Sequence, residues 1–157
     1  MADLTRSKRK MSRFEPCNPD YEADVRRRFL DSPVCRFFDF EVAEVLPGAV
    51  TLALPCKPEF GHRPGYFQGT IIGAIADYAG SFACYTLIPA DWQRLTLDYT
   101  LKFLNPAHGE RLIARGRVLS AARTISVAAA EMFVLRDGVE QLCATALVTT
   151  RHTAPRE

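Results

Sequence analysis

The sequence contains few of the patterns that mark metal-binding, disulfide-bonded or membrane proteins. It has three histidines without ligand-like spacing and five cysteines that lie far apart, with no Cys-x-x-Cys pair. We therefore expect a cytoplasmic protein with reduced thiols and without a metal or other cofactor. The most apolar stretch, residues 66–88, is interrupted by polar residues and three glycines, which argues against a membrane span. The charged N-terminus is not followed by the apolar stretch of a secretory signal.

The composition is that of one globular domain with an uneven charge. Of the 157 residues, 48% are hydrophobic and 24% are charged, and the net charge is +2. Residues 1–13 contain five basic side chains and one acidic one, so the rest of the chain is slightly acidic. Because the positive charge is confined to one end, we do not expect a nucleic-acid-binding surface. We predict a mobile basic tail over residues 1–17 and a single domain over residues 18–157.

The hydrophobic pattern predicts a short helix, a hairpin, a long helix and four further strands. Asp31-Ser32-Pro33 is expected to end the short helix. We interpret the last four strands as a meander, and an antiparallel sheet curved around the long apolar helix accounts for all the elements. The fold class is therefore α+β. In chain order, the predicted elements are a helix over 19–30, strands over 38–45 and 49–54, a helix over 69–87, and strands over 95–103, 111–119, 124–135 and 139–150.

Two finer expectations concern the long helix and the strand that follows it. Gly73 and Gly80 destabilise a helix interior, and one reason to keep them is the close approach of another backbone. Strict alternation puts Arg94 and Thr96 on the polar face of the strand. The apolar residues then share the opposite face: Leu95, Leu97, Tyr99, Leu101 and Phe103.

Asp77 is the first candidate functional residue. It is the only charged residue between Arg63 and Asp91, and it lies in the middle of the long helix, which we expect to be enclosed on nearly all sides. A carboxylate there must be paired or hydrogen-bonded, because burying a bare charge is costly. Such a residue is a candidate general base or nucleophile. A structural aspartate, bonded to Ser81 or to a threonine of the sheet, fits its position equally well.

The start of the same helix is the second candidate. Its first backbone N–H groups have no partner within the helix, and Gly69 has no side chain to block the approach of a developing oxyanion. A glycine that merely eases a turn is the simpler alternative. Asp77 lies eight residues further on, which is about 12 Å along a helix and too far for one acyl carbon to contact both. We therefore predict a homodimer in which Asp77 of one copy lies near Gly69 of the other.

Two short motifs in this region resemble those of a known family. Gln68-Gly69-Thr70 opens the long helix, and Ile75-Ala76-Asp77 follows, with nine residues from Gln68 to Asp77. Residues 96–107, TLDYTLKFLNPA, are similar to a strand that ends in a proline in the same family. From about residue 38 to residue 150, the chain resembles the hot-dog-fold acyl-CoA thioesterases of the phenylacetate-degradation type. The resemblance implies a curved antiparallel sheet wrapped around one central helix, and hydrolysis of a fatty or aromatic acyl-CoA.

The resemblance also implies roles for five residues. Asp77 matches the general base or nucleophile, and the Gly69 N–H would polarise the thioester carbonyl. Thr96 matches a position whose hydroxyl orients the water or the carboxylate. His62 stands where many members have an asparagine that assists at the carbonyl. Gln68 replaces the usual histidine, and because an amide does not titrate, any proton-transfer role at this position is lost.

Further residues are candidates for binding the two ends of an acyl-CoA. Tyr66, Phe67 and Thr70 are expected to contact the substrate near the start of the helix. Arg117 and Arg123 are candidates for the CoA phosphates, because guanidinium groups suit phosphate oxygens. Arg123 is preferred, since the family often has a basic residue in that turn, although a solvated strand face remains the alternative for each arginine. The expected partners are an acyl-CoA substrate and further copies of the chain, as a dimer or a dimer of dimers.

Two other functions stay open at this point. The first is a hydroxyacyl-thioester dehydratase on the same fold, for which His62, Pro64-Gly65 and Asp77 are the relevant residues. The second is an acyl-CoA-binding module without activity, which the glutamine at position 68 suggests. Release of free thiol from an acyl-CoA separates the thioesterase from both.

Overall fold

The computed structural model describes residues 14–155. Residues 1–13, which make up most of the predicted tail, and residues 156–157 lie outside the described part. No helix within it is long and apolar enough to cross a membrane. The elements in chain order are α1 (Tyr21–Asp31), α2 (Pro33–Phe38), β1 (Glu41–Leu46), β2 (Ala49–Pro55), a 3₁₀ turn (Pro58–Phe60), α3 (Gly69–Tyr85), β3 (Gln93–Phe103), β4 (Arg111–Ala121), β5 (Ile125–Arg136) and β6 (Val139–Thr153).

The strands form one antiparallel sheet against which α3 packs, as the α+β prediction required. The strand order is β1-β2-β4-β5-β6-β3. The predicted meander is therefore wrong for β3, which pairs with β6 at the edge of the sheet rather than with β4. A period of two identifies a strand, but it does not identify its neighbours. The crossing of α3 over the sheet carries the chain from β2 to the far edge, where β3 begins.

The segment before the sheet contains a helix that we did not predict. α1 lies close to its expected place, but Ser32 and Pro33 start α2 instead of only ending α1. The Ser32 hydroxyl accepts a hydrogen bond from the Cys35 amide at 3.3 Å, and proline occupies the first helical position. Both are standard helix-start features, so the same residues that stop one helix begin the next.

The core lies between α3 and the sheet. The helix comes closest to the sheet at one glycine of β4. A Cβ atom at Gly116 of β4 would lie 2.0 Å from the Ala79 carbonyl oxygen, so the helix backbone rests directly on this strand. Gly80, where we expected another backbone, instead faces the side chain of Val148. Burial of each large aliphatic side chain stabilises the fold by about 1.5–3 kcal/mol. The fully buried side chains include Leu52, Leu54, Ile75, Leu112, Met132 and Val134.

One side of α3 remains open, so the prediction of a helix enclosed on nearly all sides is wrong. Thr70 is exposed, and Ala74, Asp77 and Tyr78 are partly exposed. These positions follow the i, i+4, i+7, i+8 spacing of one helical face. The open stripe exists because the sheet covers the opposite side of the helix and ends at β3.

β3 contains a bulge that changes which side chains face the helix. The pairing with β6 shifts between Thr96 and Asp98, so one extra residue interrupts the alternation. Arg94 and Thr96 lie against α3 before the bulge, and Tyr99 and Leu101 lie against it after the bulge. The prediction that the five apolar residues share one face is therefore wrong, because an inserted residue moves every later side chain to the other face.

Candidate active site

Asp77 and Thr96 form a direct contact at the open side of α3. The Thr96 hydroxyl donates a hydrogen bond to Oδ1 of Asp77, with an Oγ1–Oδ1 distance of 2.7 Å. Thr96 reaches the helix only because the bulge turns it inward. Within residues 14–155, Oδ2 of Asp77 accepts no hydrogen bond, and the side chain is partly exposed. The carboxylate is therefore oriented by one donor and keeps an oxygen for a substrate or a water.

The start of α3 presents backbone N–H groups. The amides of Ile71 and Ile72 donate to the Gln68 carbonyl, which leaves those of Gly69 and Thr70 without a partner inside the helix. The Gln68 side chain is exposed and does not cap the helix. These two N–H groups lie at the positive end of the helix dipole, where an oxyanion is stabilised.

A cavity of about 420 Å³ lies beside this helix start. Its lining includes His62, Tyr66, Phe67 and Gly69, so four of the predicted site residues share one space. His62 is exposed, and its Nε2 accepts a hydrogen bond from Nε of Arg63 at 3.2 Å. Phe67 is buried and forms an apolar part of the wall. The cavity can hold the part of a substrate that lies next to a polar group near Gly69.

The predicted catalytic residues thus fall into two groups within one subunit. Asp77 and Thr96 form one group, and Gly69 with its cavity forms the other. The eight-residue separation along α3 amounts to about 12 Å, so a single subunit does not bring the two groups to one carbonyl carbon.

The two predicted arginines lie elsewhere. Arg117 is exposed on β4, and its neighbour Gly116 faces α3, so the Arg117 side chain points to the other side of the sheet. Arg123 is exposed in the turn between β4 and β5 and lines a separate cavity of about 440 Å³ together with Trp92. Neither arginine shares the cavity beside Gly69, and contact of either one with CoA stays a prediction.

Comparison with known proteins identifies the family. The profile of the thioesterase superfamily matches residues 65–141, which include the start of α3, Asp77 and Thr96. A thioesterase family protein from Silicibacter pomeroyi is 31% identical, with a TM-score of 0.83 over 86% of this chain and 99% of that one. The chain belongs to the thioesterase superfamily. The hot-dog fold that the resemblance implied is thereby confirmed.

Two other relatives are less similar in sequence to this thioesterase-superfamily chain. The PaaI protein from the phenylacetic acid degradation operon of E. coli has a TM-score of 0.75 at 13% identity, over 88% of this chain and 96% of that one, which shows the shared fold. A protein of Saccharolobus solfataricus named "Putative esterase" is 29% identical over 94 residues, 60% of this chain and 66% of the relative. The match therefore spans just under two thirds of that relative's length.

Arg94 is a residue at this site that our sequence reasoning missed. Its guanidinium carbon lies 3.5 Å from the centre of the Phe82 ring and 5.5 Å from that of Tyr85. Burial lowers the pKa of Arg94 to about 10, although the negative charge of Asp77 opposes this shift. Alternation assigned Arg94 to the polar face of β3, and no local sequence signal marks the bulge that turns it inward.

A second buried polar contact links α3 to α1. The Tyr85 hydroxyl donates a hydrogen bond to Oδ2 of Asp24, which lies on α1. Burial, together with this contact, raises the pKa of Tyr85 to about 12. Burial also acts to raise the pKa of Asp24, but the hydrogen bonds from Tyr85 and Arg27 outweigh it, and the pKa is lowered. The contact ties α1 to the far end of α3.

Two buried cysteines of this superfamily member, Cys84 and Cys143, are unreactive. Burial raises the pKa of Cys84 and of Cys143 to about 11, so both thiols are protonated at neutral pH and are poor nucleophiles. Among residues 14–155, no three His, Cys, Asp or Glu side chains are grouped so that they could hold a metal ion.

Proposed function

We propose that the chain hydrolyses acyl-CoA thioesters at two equivalent sites, each shared between the subunits of a homodimer. Asp77 of one subunit acts as the base or nucleophile, and the N–H of Gly69 of the partner subunit binds the oxyanion. The observation that carries this proposal is the hydrogen bond from Thr96 to Asp77, which orients the carboxylate on the open side of α3 and leaves one of its oxygens available.

The reaction follows from these groups. A water molecule adds to the thioester carbonyl carbon while Asp77 takes one of its protons. Negative charge develops on the carbonyl oxygen, and the N–H at the positive end of α3 stabilises it. The C–S bond then breaks, and the CoA sulfur takes the proton, which gives a free acid and CoA. If Asp77 instead adds to the carbonyl directly, water hydrolyses the resulting acyl-enzyme anhydride.

The exposed apolar surface supports the dimer. β3 is an edge strand of eleven residues, and its backbone N–H and C=O groups form a template for pairing with another strand. Leu97 is 50% exposed and Phe103 is 58% exposed on this strand. An edge of this length with large exposed apolar side chains is a surface that proteins usually cover. The open stripe of α3 lies beside it.

The register of such a dimer also brings the two groups of site residues together. Gly69 and Asp77 are equally far from Gly73 along α3. A two-fold axis beside Gly73, with the two α3 helices antiparallel, therefore places each Asp77 opposite Gly69 of the partner subunit. Gly73 itself is buried against Tyr99 and Leu101 of β3. The residue of the open stripe at this level of the helix is Ala74, whose small side chain allows the two helices to approach each other. The eight-residue separation keeps Asp77 and Gly69 of one subunit apart, and the same separation lets Asp77 meet Gly69 of the partner subunit in the dimer.

The remaining predicted residues take supporting roles in this proposal. Thr96 positions Asp77, while His62 and Gln68 donate hydrogen bonds near the carbonyl or the pantetheine arm. Tyr66 and Phe67, which line the cavity, and the exposed Thr70 contact the substrate near the helix start. The phosphates of CoA bind to Arg123 or Arg117, which remain the candidates at the protein surface.

The test is thiol release from a panel of acyl-CoA esters. We expect Asp77→Asn to lower kcat by orders of magnitude while the thermal unfolding midpoint changes little, because only the proton acceptor is lost. Asp98→Asn is a matched control, since Asp98 also accepts a hydrogen bond from a threonine, Thr149, but is exposed on the outer face of the sheet. Wild-type activity in Asp77→Asn would refute the assignment.

The same assay separates the alternatives. A dehydratase would hydrate an enoyl-CoA without releasing thiol, and a binding module would bind an acyl-CoA without either reaction. Failure of the wild-type chain to release thiol from any ester of the panel would therefore contradict the proposed hydrolysis.

A substitution at the sheet edge tests the dimer. Leu97→Arg places a charge on the exposed edge strand, so we expect sedimentation velocity to show a monomer with little activity. Leu147→Arg is the control, because Leu147 is also 50% exposed but belongs to β6, one strand in from the edge. A fully active monomer would overturn the shared site.

A further inference from the structure

Arg94 is partly exposed, and its guanidinium has no polar partner within the described part of the subunit. Its Nε is buried and makes no hydrogen bond, and no carboxylate within residues 14–155 forms a salt bridge with it. The ring of Phe82 contacts the guanidinium face, but a ring does not accept the in-plane N–H donors. A buried N–H donor without an acceptor is costly, so an acceptor from outside the subunit would be bound favourably here.

The charged groups around Arg94 are Asp77, which attracts its guanidinium, and Arg28, which repels it. The guanidinium carbon of Arg28 lies 4.6 Å from the Tyr85 ring centre, and its Nε is 3.6 Å from Oδ2 of Asp24. Asp24 is engaged by Tyr85, Arg27 and Arg28, and Asp77 forms no salt bridge with Arg94, although it keeps Oδ2 free. The N–H donors of Arg94 therefore lack an acceptor among the described residues of the subunit, and a carboxylate is the acceptor that matches them.

We propose that Arg94 binds a carboxylate at the far end of the acyl group, so that the substrates are CoA thioesters of dicarboxylic acids. This inference rests on the proposed function, because it takes the carboxylate of Asp77 as the place where the thioester reacts. A guanidinium offers two parallel N–H donors that match the two oxygens of a carboxylate.

The distances along β3 fit this assignment. Arg94 and Thr96 are two residues apart on the same face of the strand, about 7 Å, and Thr96 is hydrogen-bonded to Asp77. Beyond Asp77, Tyr78 is partly exposed on the open stripe of α3, and its ring lies 5.9 Å from that of the buried Phe82, which Arg94 covers. An acyl chain that starts at Asp77 would thus pass over Tyr78 before it reaches the guanidinium.

The phosphates of CoA do not explain Arg94. The thioester sulfur leads into the pantetheine arm, and the phosphates lie at the other end of that arm, away from the acyl group. Because Arg94 lies next to the residue that positions Asp77, it is close to the reacting carbonyl, where only the acyl portion of the substrate can supply an anion.

The experiment compares adipoyl-CoA with hexanoyl-CoA, which have the same number of chain carbons and differ by one terminal carboxylate. We expect the wild-type chain to prefer adipoyl-CoA in kcat/KM, and Arg94→Met to lower the ratio of the two values by about 100-fold. Arg94→Lys keeps the charge and should retain part of the preference. Arg115→Met is the control, because Arg115 also lies over a phenylalanine ring but has a carboxylate partner, Glu140.

The outcomes separate this inference from the proposed function. Equal losses on both substrates in Arg94→Met, or a wild-type preference for hexanoyl-CoA, would overturn the role of Arg94 and leave the hydrolysis of acyl-CoA in place. Calorimetry on the Asp77→Asn chain measures binding without turnover. Tighter binding of adipoyl-CoA there, lost on adding Arg94→Met, supports the carboxylate site, and equal binding of both esters contradicts it.

Discussion

Replacing Gly69 by proline removes one hydrogen atom that the proposed mechanism requires. Proline has no N–H, and it is tolerated at the first position of a helix because that amide has no partner within the helix. Gly69 is the first residue of α3. Gln68 before it has φ −66° and ψ 144°, the extended conformation that a residue before proline adopts. We therefore expect Gly69→Pro to fold.

Gly69→Ala is the matched control for the added atoms. A Cβ atom at this position would lie 3.0 Å from the Phe103 ring, so both variants require a small shift of that exposed side chain. Alanine keeps the N–H, whereas proline replaces its hydrogen by the ring carbon Cδ. A loss in Gly69→Pro beyond that in Gly69→Ala therefore reports on this replacement and not on the added Cβ.

The expected magnitude follows from the charge on the carbonyl oxygen. Loss of one oxyanion donor lowers kcat by about 100- to 1,000-fold, or about 3–4 kcal/mol of transition-state stabilisation. Steady-state thiol release measures this loss, and thermal unfolding checks that the fold is intact. Equal activity of Gly69→Pro and Gly69→Ala would refute the oxyanion role of this amide.

Mixing two inactive variants tests whether the site is shared. In a heterodimer of the Asp77→Asn and Gly69→Pro chains, one site combines Asp77 from one subunit with Gly69 from the other, and its second site has neither group. After subunit exchange at equal concentrations, about a quarter of wild-type activity should return. If both groups act within one chain, the mixture stays inactive.

Three further predictions concern the rest of the fold. Asp24→Asn should lower the free energy of unfolding by about 2 kcal/mol at pH 7. Because the pKa of Asp24 lies below its ordinary value of 3.8, this difference should vanish in urea titrations as the pH falls and the carboxylate protonates. Gly116→Ala should cost about 3 kcal/mol or prevent folding, as judged by circular dichroism, because its Cβ would overlap the Ala79 carbonyl. Cys17, the one exposed cysteine, should be the thiol that reacts rapidly with Ellman's reagent, and Cys17→Ser should remove that phase.

Local features of the chain were enough to predict most of the elements. Alternation located β1 to β4, although β1 begins at Glu41 and not at Phe38, which ends α2. The apolar pattern located α3 within two residues of its end. Asp77 stood out because it is the only charge in a long apolar segment, and Gly69 because it opens that segment. These signals depend on residues close to one another along the chain.

Features that depend on distant parts of the chain were predicted poorly. β3 was assigned to a meander because sequence neighbours usually pair, whereas its partner β6 comes last in the chain. The bulge in β3 leaves no mark in the alternation, so Arg94 was placed on the polar face. The open stripe on α3 was missed because a helix with apolar residues on most sides does not reveal where the sheet ends.

The fold class and the candidate acid and amide thus follow from local patterns of polarity and backbone preference, which each segment carries within itself. The pairing of β3 with β6, the inward turn of Thr96 and Arg94 and the contact of Thr96 with Asp77 follow from packing. Packing depends on which segments meet across the core. The register and the partner of a strand are therefore set by the rest of the sheet and by α3, and not by the strand alone.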